Sequence, residues 1–495
     1  MKLSIQLSQN TFRTALLGIF ITTFAGVFYG PALARTYGVL DDFLCAYEAQ
    51  SGLDWFHLTS GFARIEVATG RLIPAILFSF IWGNVTSLED LDLVRFFGLL
   101  VVCSGVIALT IWARRLNRSQ NIFRDFVLLL GSVMILVLPS VTATVTWAQK
   151  ATQLVALPLS IFSGILATKT GSLTKFRWTL IIVLNLASAF SYQHFTTLAT
   201  LPVFIWAAFI FIASHDLSGV RRSFSISLIS FFSLIVNYLF VWIRNQDVIP
   251  EGPTFTTKIN DLFLRQLPKS LHIFIETTPF LVGLSVTVFL SMLLIVVLWT
   301  RNSWPYLLAV FMSAGLSSLI TLGGNRDASY RLVMPTQLTL WMGLLLVLSL
   351  VIQSDRSRSI RMRVALIGIL IASVTLTTLD AKTTVYTRIS DRNRNQWKII
   401  YDEVENLSNA PTPKKIIVSL VPLIESGNCA THSEIGLLGW HEGWVLRDQF
   451  AYAFLDFPNG KILAQIPLEI LDHDQDLPDS SEDTYVINLL NRDTC

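Results

Sequence analysis

The sequence predicts a polytopic α-helical membrane protein of about eleven spans with a small α/β domain at its C-terminus. The 495-residue chain is 52% hydrophobic and only 14% charged, whereas charged residues make up about a quarter of a soluble domain. Its mean hydropathy is +0.56. Apolar runs of about 17–25 residues, bounded by charged residues, recur along most of the chain and are typical of membrane helices.

The first apolar run ends in Pro31-Ala32-Leu33-Ala34, which resembles a signal-peptidase site. A run of about 20 apolar residues is nevertheless long enough to cross a bilayer, so we expect this segment to be kept as a span. The predicted spans are residues 14–35, 93–113, 123–141, 152–168, 177–193, 196–214, 223–243, 277–299, 304–322, 332–352 and 364–380.

Basic residues predict the orientation of the spans, because cytoplasmic loops are enriched in them. With the N-terminus inside, the short outer connections hold only Lys150, Arg326 and Arg331. We therefore expect the N-terminus inside and the C-terminus outside. The basic residues of the predicted inner loops are Arg114, Arg115, Arg118, Arg124, Lys169, Lys175, Arg177, Arg221, Arg222, Arg301, Arg356, Arg358, Arg361 and Arg363.

The apolar stretch at residues 71–83 is too short for a span. If it crossed the bilayer, every later loop would change sides and the basic residues would lie outside. We expect it to form a juxtamembrane helix or a shallow re-entrant segment on the outer surface. Residues 35–92 then form one outer loop assembly within a membrane module that covers residues 1–385.

Residues 386–495 are predicted to form an extracytoplasmic α/β domain. Residues 389–407 have helical apolar periodicity, and the segments K-I-I-V-S-L-V and T-Y-V-I-N-L-L have the composition of strands. Two cysteines of this domain, Cys429 and Cys495, could pair in an oxidising compartment. The sequence leaves that pairing open.

Two adjacent carboxylates, Asp41 and Asp42, follow the first predicted span. A carboxylate at the outer membrane face can act as general base on a hydroxyl within hydrogen-bond reach. The alternative is that the pair only marks the outer end of a helix. Because ionisable residues near membrane depth are commonly functional, we predict that Asp41 and Asp42 are catalytic, with Glu48, Asp54 and Glu66 as secondary candidates.

Five cations lie on the predicted outer face, where they could bind a lipid-linked phosphate: Arg64, Arg71, Lys150, Arg326 and Arg331. Arginine suits this role because its guanidinium binds phosphate through two hydrogen bonds. The two glycines that precede Arg326 permit a tight turn. The alternative is that these side chains only reach toward lipid headgroups.

A polar and aromatic cluster, Tyr192, Gln193 and His194, lies at the predicted outer end of the fifth span. Such residues can line a sugar pocket, and Tyr330 beside Arg331 is a further candidate for it. The alternative is an interfacial belt, where tyrosine is common.

Several other functions are not indicated. The chain has no GxxxxGK[ST], HExxH or GxSxG motif, and therefore no sign of nucleotide hydrolysis. No basic run of the nucleic-acid-binding kind is present. The four cysteines lack metal-ligand spacing. The acidic loop with Asp472, Asp474 and Asp476 lacks the glycine and glutamate of a calcium loop, so a solvated loop is expected.

The order of these features resembles the GT-C superfamily of glycosyltransferases. The resemblance rests on the acidic pair in the first outer loop, the short apolar surface helix, a second span that ends in A-R-R-L, and the C-terminal outer domain. Asp41-Asp42, Gly70-Arg71 and the tail W-K-I-I-Y-D-E-V…K-K-I-I-V-S-L-V look similar to the bacterial serotype-converting O-antigen glucosyltransferases. Tyr330-Arg331-Leu332-Val333-Met334-Pro335 resembles the R-Y-x-x-P element of other members, with the Arg-Tyr order reversed.

The resemblance implies transfer of a sugar from a polyprenyl-phosphate donor to a glycan or glycoconjugate acceptor at the outer face of a bacterial cytoplasmic membrane. An aspartate of the first outer loop would be the base. Fixed cations could replace a metal, although a divalent metal at Asp41 and Asp42 is left open.

Two other classes of function stay open. A transporter or flippase of lipid-linked sugars would carry ionisable residues deep within its spans. A polysaccharide polymerase or ligase usually has its large outer loop between late spans.

Overall fold

The chain is described by a computed structural model that covers most of its length. The described residues are 2–39, 42–50, 61–116, 122–244, 255–275, 278–299, 303–319, 330–351, 360–420, 443–471, 475, 477–481 and 483–489. Helices α1–α11 are Lys2–Leu33, Asp42–Gln50, Gly61–Ala68, Leu72–Trp82, Leu91–Leu116, Ile122–Leu136, Pro139–Val145, Ala156–Ala167, Lys175–Ser191, Thr200–Ser214 and Ser218–Arg244.

The remaining elements follow in chain order. Helices α12–α20 are Phe255–Asp261, Leu267–Leu271, Pro279–Trp299, Trp304–Leu319, Tyr330–Val351, Ile360–Thr383, Arg392–Asn409, Gly443–Phe454 and Gly460–Leu463. Strands β1–β3 are Lys415–Ser419, Leu468–Leu471 and Thr484–Ile487.

Every predicted span overlaps a helix, because a segment in lipid must bond its main-chain N–H and C=O groups internally. Across the described ranges, seven helical segments are long and apolar enough to cross a membrane alone, and the bent pair α6–α7 is an eighth candidate. The other three predicted spans coincide with the shorter helices α8, α9 and α15, of 12, 17 and 16 residues.

The helices differ in how much apolar surface they expose. The span in α16 is fully buried among its neighbours, whereas only 22% of the span in α11 and 28% of that in α14 are buried. The row Phe224, Leu228, Phe232 and Ile235 on α11 is exposed. A continuous apolar face of this kind requires an apolar surrounding, which a lipid bilayer supplies.

One predicted inner-loop residue, Arg114, connects the ends of the first helices. Arg114 at the end of α5 donates to Thr14 Oγ1 of α1 at 2.6 Å, and its Nε lies 3.0 Å from Asp125 Oδ1 of α6. At the other end of α1, Tyr29 donates to the carbonyl of Leu136, where α6 ends. The ends of α1, α5 and α6 are therefore paired as alternating crossings require.

The sequence predicts one span over residues 123–141, but the helix breaks near its end. Helix α6 stops at Leu136, and α7 begins at Pro139 at an angle of 56° to it. Proline cannot donate the hydrogen bond that would continue a helix. The chain then continues through α7 and two short 3₁₀ turns, and every residue from 131 to 154 is buried. Irregular backbone of this kind is tolerated at membrane depth only where protein covers it.

The C-terminal part contains the predicted α/β elements. Strand β1 lies in the centre of a three-stranded parallel sheet of order β2-β1-β3. Helix α18 overlaps the predicted helical segment and ends two residues beyond it. The sequence did not predict β2. Helices α17 and α18 are joined by a π-helical stretch, Thr384–Asp391, so the helix continues from the membrane region into this domain.

The C-terminal domain packs directly on the outer loop assembly. Phe43 of α2 packs against Trp397 of α18 and Tyr452 of α19, with ring centroids 5.3 and 6.4 Å away. Tyr37 and Val39 pack in one cluster with residues of the domain. Helix α2 is therefore covered by the C-terminal domain, and the polar residues around it are enclosed between this domain and the apolar helices.

Candidate functional site

Buried polar side chains converge where the outer loop assembly meets the chain after the α6–α7 break. This group, the junction site, consists of Asp42, Glu66, Arg71, Arg95, Gln149, Lys150 and Gln153; all are buried except Arg71, which is partly exposed. Charged groups are rarely buried without partners, because leaving water is costly. Their partners therefore define what the site can do.

Asp42 begins α2 and connects three segments of the chain. Its Oδ2 accepts the N–H of Val39 at 3.0 Å, and its Oδ1 accepts the N–H of Gln149 at 2.8 Å. The guanidinium of Arg95 lies 3.5 Å from Oδ2, and both side chains are fully buried. Asp42 thus fixes the outer loop against the turn after α7. Both of its oxygens have structural partners, which suits a positioning role better than proton abstraction.

Arg95 is a site residue that the sequence analysis missed. Its guanidinium lies 3.8 Å above the Tyr37 ring and donates to the Tyr37 carbonyl. Burial raises the pKa of the Tyr37 phenol, and the nearby Arg95 charge partly offsets this effect. The signal in the sequence is a lone arginine among the apolar residues of a span, which is a functional indicator at membrane depth.

Glu66 of α3 is more central than its secondary rank in the sequence suggests. Its Oε1 accepts hydrogen bonds from Gln153 Nε2 at 2.8 Å and Gln149 Nε2 at 3.2 Å, and Arg71 Nη1 lies 3.3 Å away. Its other oxygen, Oε2, is buried and has no hydrogen-bond partner in the described part of the chain. Gln149 bonds to Asp42 through its main chain and to Glu66 through its side chain, so it connects the two carboxylates.

Arg71 is held in place by a turn that requires glycine. Gly70 has φ = +79°, a conformation that L side chains rarely adopt. Asn237 of α11 donates to the Gly70 carbonyl at 2.6 Å. Gln193 donates to the Thr69 carbonyl at 2.7 Å and to Asn237 at 2.9 Å. The predicted pocket residue Gln193 therefore supports the turn that positions Arg71.

Two of the predicted phosphate-binding cations, Arg71 and Lys150, lie near Tyr192. The Arg71 guanidinium lies 5.2 Å from the Tyr192 ring centroid. The Tyr192 ring stacks on the His194 ring, with the two centroids 4.9 Å apart. Tyr192 and Lys150 line one small cavity of about 10 Å³, together with Thr144, Gln153, Leu154, Phe195 and Met334. The Lys150 ammonium also lies 4.5 Å from the Trp147 ring. The structure thus brings together Arg71, Lys150, Tyr192 and His194.

Among the other predicted site residues, Arg64 has a described side chain and lies outside this group. Arg64 is exposed on α3. Tyr330 and Arg331 begin α16, but their side chains lie outside the described residues, as do all of Asp41 and Arg326. Met334, three residues after Arg331, reaches the cavity. The predicted cysteine pair and the acidic loop with Asp472, Asp474 and Asp476 also fall outside the described ranges.

A divalent metal at the acidic pair was left open by the sequence. No group of three His, Cys, Asp or Glu side chains suited to a metal occurs among the residues that the structure describes. Asp42 already accepts two main-chain N–H groups and lies beside the Arg95 cation. A cation bound there would be repelled by that guanidinium, so Asp42 as placed does not fit the role of metal ligand.

The long apolar helices, the lipid-compatible faces and the buried polar junction define a helical membrane protein. A scan of the chain against protein-family models finds no match. A search of curated proteins also finds no match. Function is therefore inferred from the residues and contacts of this chain.

Proposed function

We propose that the protein is a GT-C-type glycosyltransferase that moves a sugar from a polyprenyl-phosphate donor to a glycan or glycoconjugate acceptor of the cell envelope. The proposal includes eleven spans, an inside N-terminus, an outside C-terminus and an active site on the outer face of a bacterial cytoplasmic membrane. The observation that carries it is the junction site. There, three cations (Arg71, Arg95 and Lys150) and the partly satisfied carboxylate of Glu66 lie beside aromatic rings, at the predicted outer end of the helices.

The cations are suited to a phosphate that stays bound to lipid. Arg71 lies against the Tyr192 ring, and Lys150 lines the small cavity that Tyr192 also lines. Lys150 lies between the predicted spans 123–141 and 152–168, so its charge is predicted at the outer face. Fixed cations that face a developing negative charge lower the barrier of a transfer step. In this assignment, Arg71 and Lys150 stabilise the polyprenyl phosphate as it leaves.

The base is assigned to Asp41, with Asp42 as the residue that positions it. Asp42 holds the loop through its contacts with Val39, Gln149 and Arg95. The acceptor oxygen forms a bond to the anomeric carbon of the sugar, and its proton passes to the Asp41 carboxylate. The bond between that carbon and the phosphate oxygen breaks, and its electron pair leaves with the polyprenyl phosphate. The step requires no nucleotide.

The test measures release of polyprenyl phosphate by the full-length protein in lipid nanodiscs. Short-chain polyprenyl-phosphate hexoses serve as donors, and envelope glycan from a strain that lacks the gene serves as acceptor. Loss of a general base lowers rates by about 10²–10⁴-fold, so Asp41→Asn should fall in that range. Loss of a charge-stabilising donor costs about 10²–10³-fold, which is the expectation for Arg71→Gln and Lys150→Gln.

Matched controls carry the same chemical changes on exposed surfaces. Asp402→Asn and Arg221→Gln alter exposed residues of α18 and α11 and should leave turnover unchanged. If no donor of the panel yields polyprenyl phosphate, glycosyl transfer is the wrong function. Movement of a donor across the bilayer without its cleavage would instead support the flippase alternative.

A further inference from the structure

We propose that Glu66 and Gln149 bind a hydroxyl group of the transferred sugar and so determine which sugar is used. This inference rests on the proposed glycosyl transfer. It assigns a specificity role to a carboxylate outside the acidic pair.

The first argument is the unequal use of the two Glu66 oxygens. Oε1 receives three donors, from Gln149, Gln153 and Arg71, which fix the carboxylate plane. Oε2 is buried and has no hydrogen-bond partner among the described residues, and only 1% of the Glu66 surface is exposed. A buried acceptor without a donor is costly and in native proteins commonly marks a ligand or water position.

The second argument is a further acceptor on the adjacent side chain. Gln149 is also 1% exposed, and its Oε1 has no hydrogen-bond partner in the described part of the chain. Its Nε2 donates to Glu66, so the orientation of the amide is set by the carboxylate. Two neighbouring side chains therefore each present an unused acceptor oxygen.

The chemistry of these acceptors selects the ligand class. Acceptor oxygens repel a phosphate, so the donor phosphate does not fit between them. Glu66 is already neutralised by Arg71, whose guanidinium disfavours a second cation. A neutral group that donates hydrogen bonds fits both conditions, and a sugar hydroxyl is such a group. Tyr192, which lies under Arg71 and beside His194, provides an aromatic surface next to the acceptors.

The position of Gln149 connects recognition with the reacting groups. Its main-chain N–H holds Asp42 at 2.8 Å, and its side chain holds Glu66. A sugar bound at Glu66 would lie beside the segment that carries the acidic pair. Correct placement of a hydroxyl can therefore raise turnover as well as binding.

The test compares donors that differ by one hydroxyl group. The full-length wild-type protein is given the short-chain polyprenyl-phosphate hexose that it uses best, together with its monodeoxy analogues, and polyprenyl phosphate release is measured. A site built around a hydroxyl rejects an analogue without it strongly. At least one monodeoxy donor should therefore lose about 100-fold or more in kcat/KM. In Glu66→Ala, the same two donors should differ in kcat/KM by less than about tenfold, because the oxygen that accepts the hydroxyl hydrogen bond is gone.

Two further variants separate recognition from folding. Glu66→Gln keeps the shape of the side chain and serves as the test if Glu66→Ala does not fold. Its ratio of kcat/KM between the parent donor and the monodeoxy donor should lie between those of wild type and Glu66→Ala. Glu89→Gln makes the same change on an exposed residue and should keep the wild-type ratio. If all donors slow equally in the Glu66 variants, the residue is structural or acts as the base, and the inference is wrong.

The remaining outcomes are also decisive. A wild-type protein that treats every monodeoxy donor like its parent sugar contradicts hydroxyl recognition while leaving the proposed transferase intact. A wild-type protein that cleaves no donor overturns the transferase and this inference with it.

Discussion

The buried pair of Arg95 and Asp42 should contribute more to stability than any exposed ion pair of the protein. Both side chains are fully buried, with Nη2 and Oδ2 3.5 Å apart. Removing one partner of such a pair leaves an uncompensated buried charge and costs about 3–5 kcal/mol. Arg95→Met should lower the free energy of unfolding by about that amount, because the buried Asp42 carboxylate loses its counter-charge.

Asp42→Asn should have a similar cost for a different reason. An asparagine side chain has one acceptor oxygen, whereas Asp42 accepts N–H groups from both Val39 and Gln149. One of those buried N–H groups would face the amide NH₂, at a cost of about 1–3 kcal/mol. Arg95 would also lose its counter-charge. The double variant should therefore be more stable than the sum of the single losses predicts, by about 1–3 kcal/mol.

The assay is unfolding of the detergent-solubilised full-length protein by titration with SDS, followed by circular dichroism. The four proteins of the cycle are wild type, Arg95→Met, Asp42→Asn and the double variant. A parallel cycle uses the exposed pair Lys414 and Asp483, 3.0 Å apart, where coupling below about 1 kcal/mol is expected. Additive losses at Arg95 and Asp42 would refute the assigned pairing.

Two other predictions concern the outer assembly. An added Cβ at Gly70 would lie 2.6 Å from Val241 Cγ2, so Gly70→Ala should lower the midpoint of thermal unfolding. The control is Gly171→Ala, which should lower it less, because Gly171 has a similar φ of +82° but open space around it. Equal shifts would mean that packing around Arg71 is unimportant. Burial, assisted by Lys269, lowers the pKa of His272 below its ordinary 6.5. The unfolded chain therefore binds this proton at higher pH than the folded chain. The contribution of the neutral His272 side chain to the free energy of unfolding is complete above about pH 6.5 and is lost as the pH falls below that value. Between pH 7 and pH 5, the midpoint of thermal unfolding should fall by less in His272→Gln than in wild type. Identical pH profiles would contradict the lowered pKa of His272.

The predicted spans needed no tertiary information, because each is set by local composition. A run of apolar residues must become a helix in lipid whatever surrounds it, and all of the predicted runs contain one. The bend at Pro139 and strand β2 were missed for opposite reasons. The proline lay near the end of an otherwise ordinary apolar run, whereas Leu468–Leu471 is a four-residue segment that is a strand because it pairs with β1.

The candidate site was predicted only in part. Arg71, Lys150, Tyr192 and His194 were expected on the outer face, and they do lie together. Arg95 was missed because a single arginine inside an apolar run looks like a boundary of the span. Residues 142–151 were taken as an outer connection, although their Ala, Thr and Val content is unusual for an exposed loop and indicates burial.

The sequence by itself determined the class of protein and the approximate helices, since these depend on hydropathy along the chain. Only the tertiary structure decided which polar groups meet. Asp42 and Gln149 are 107 positions apart, and Glu66 and Gln153 are 87 apart, so no local pattern relates them. These contacts depend on the break at Pro139 and on the C-terminal domain that covers the site. Together they exclude water, so each hydrogen bond requires its own protein partner.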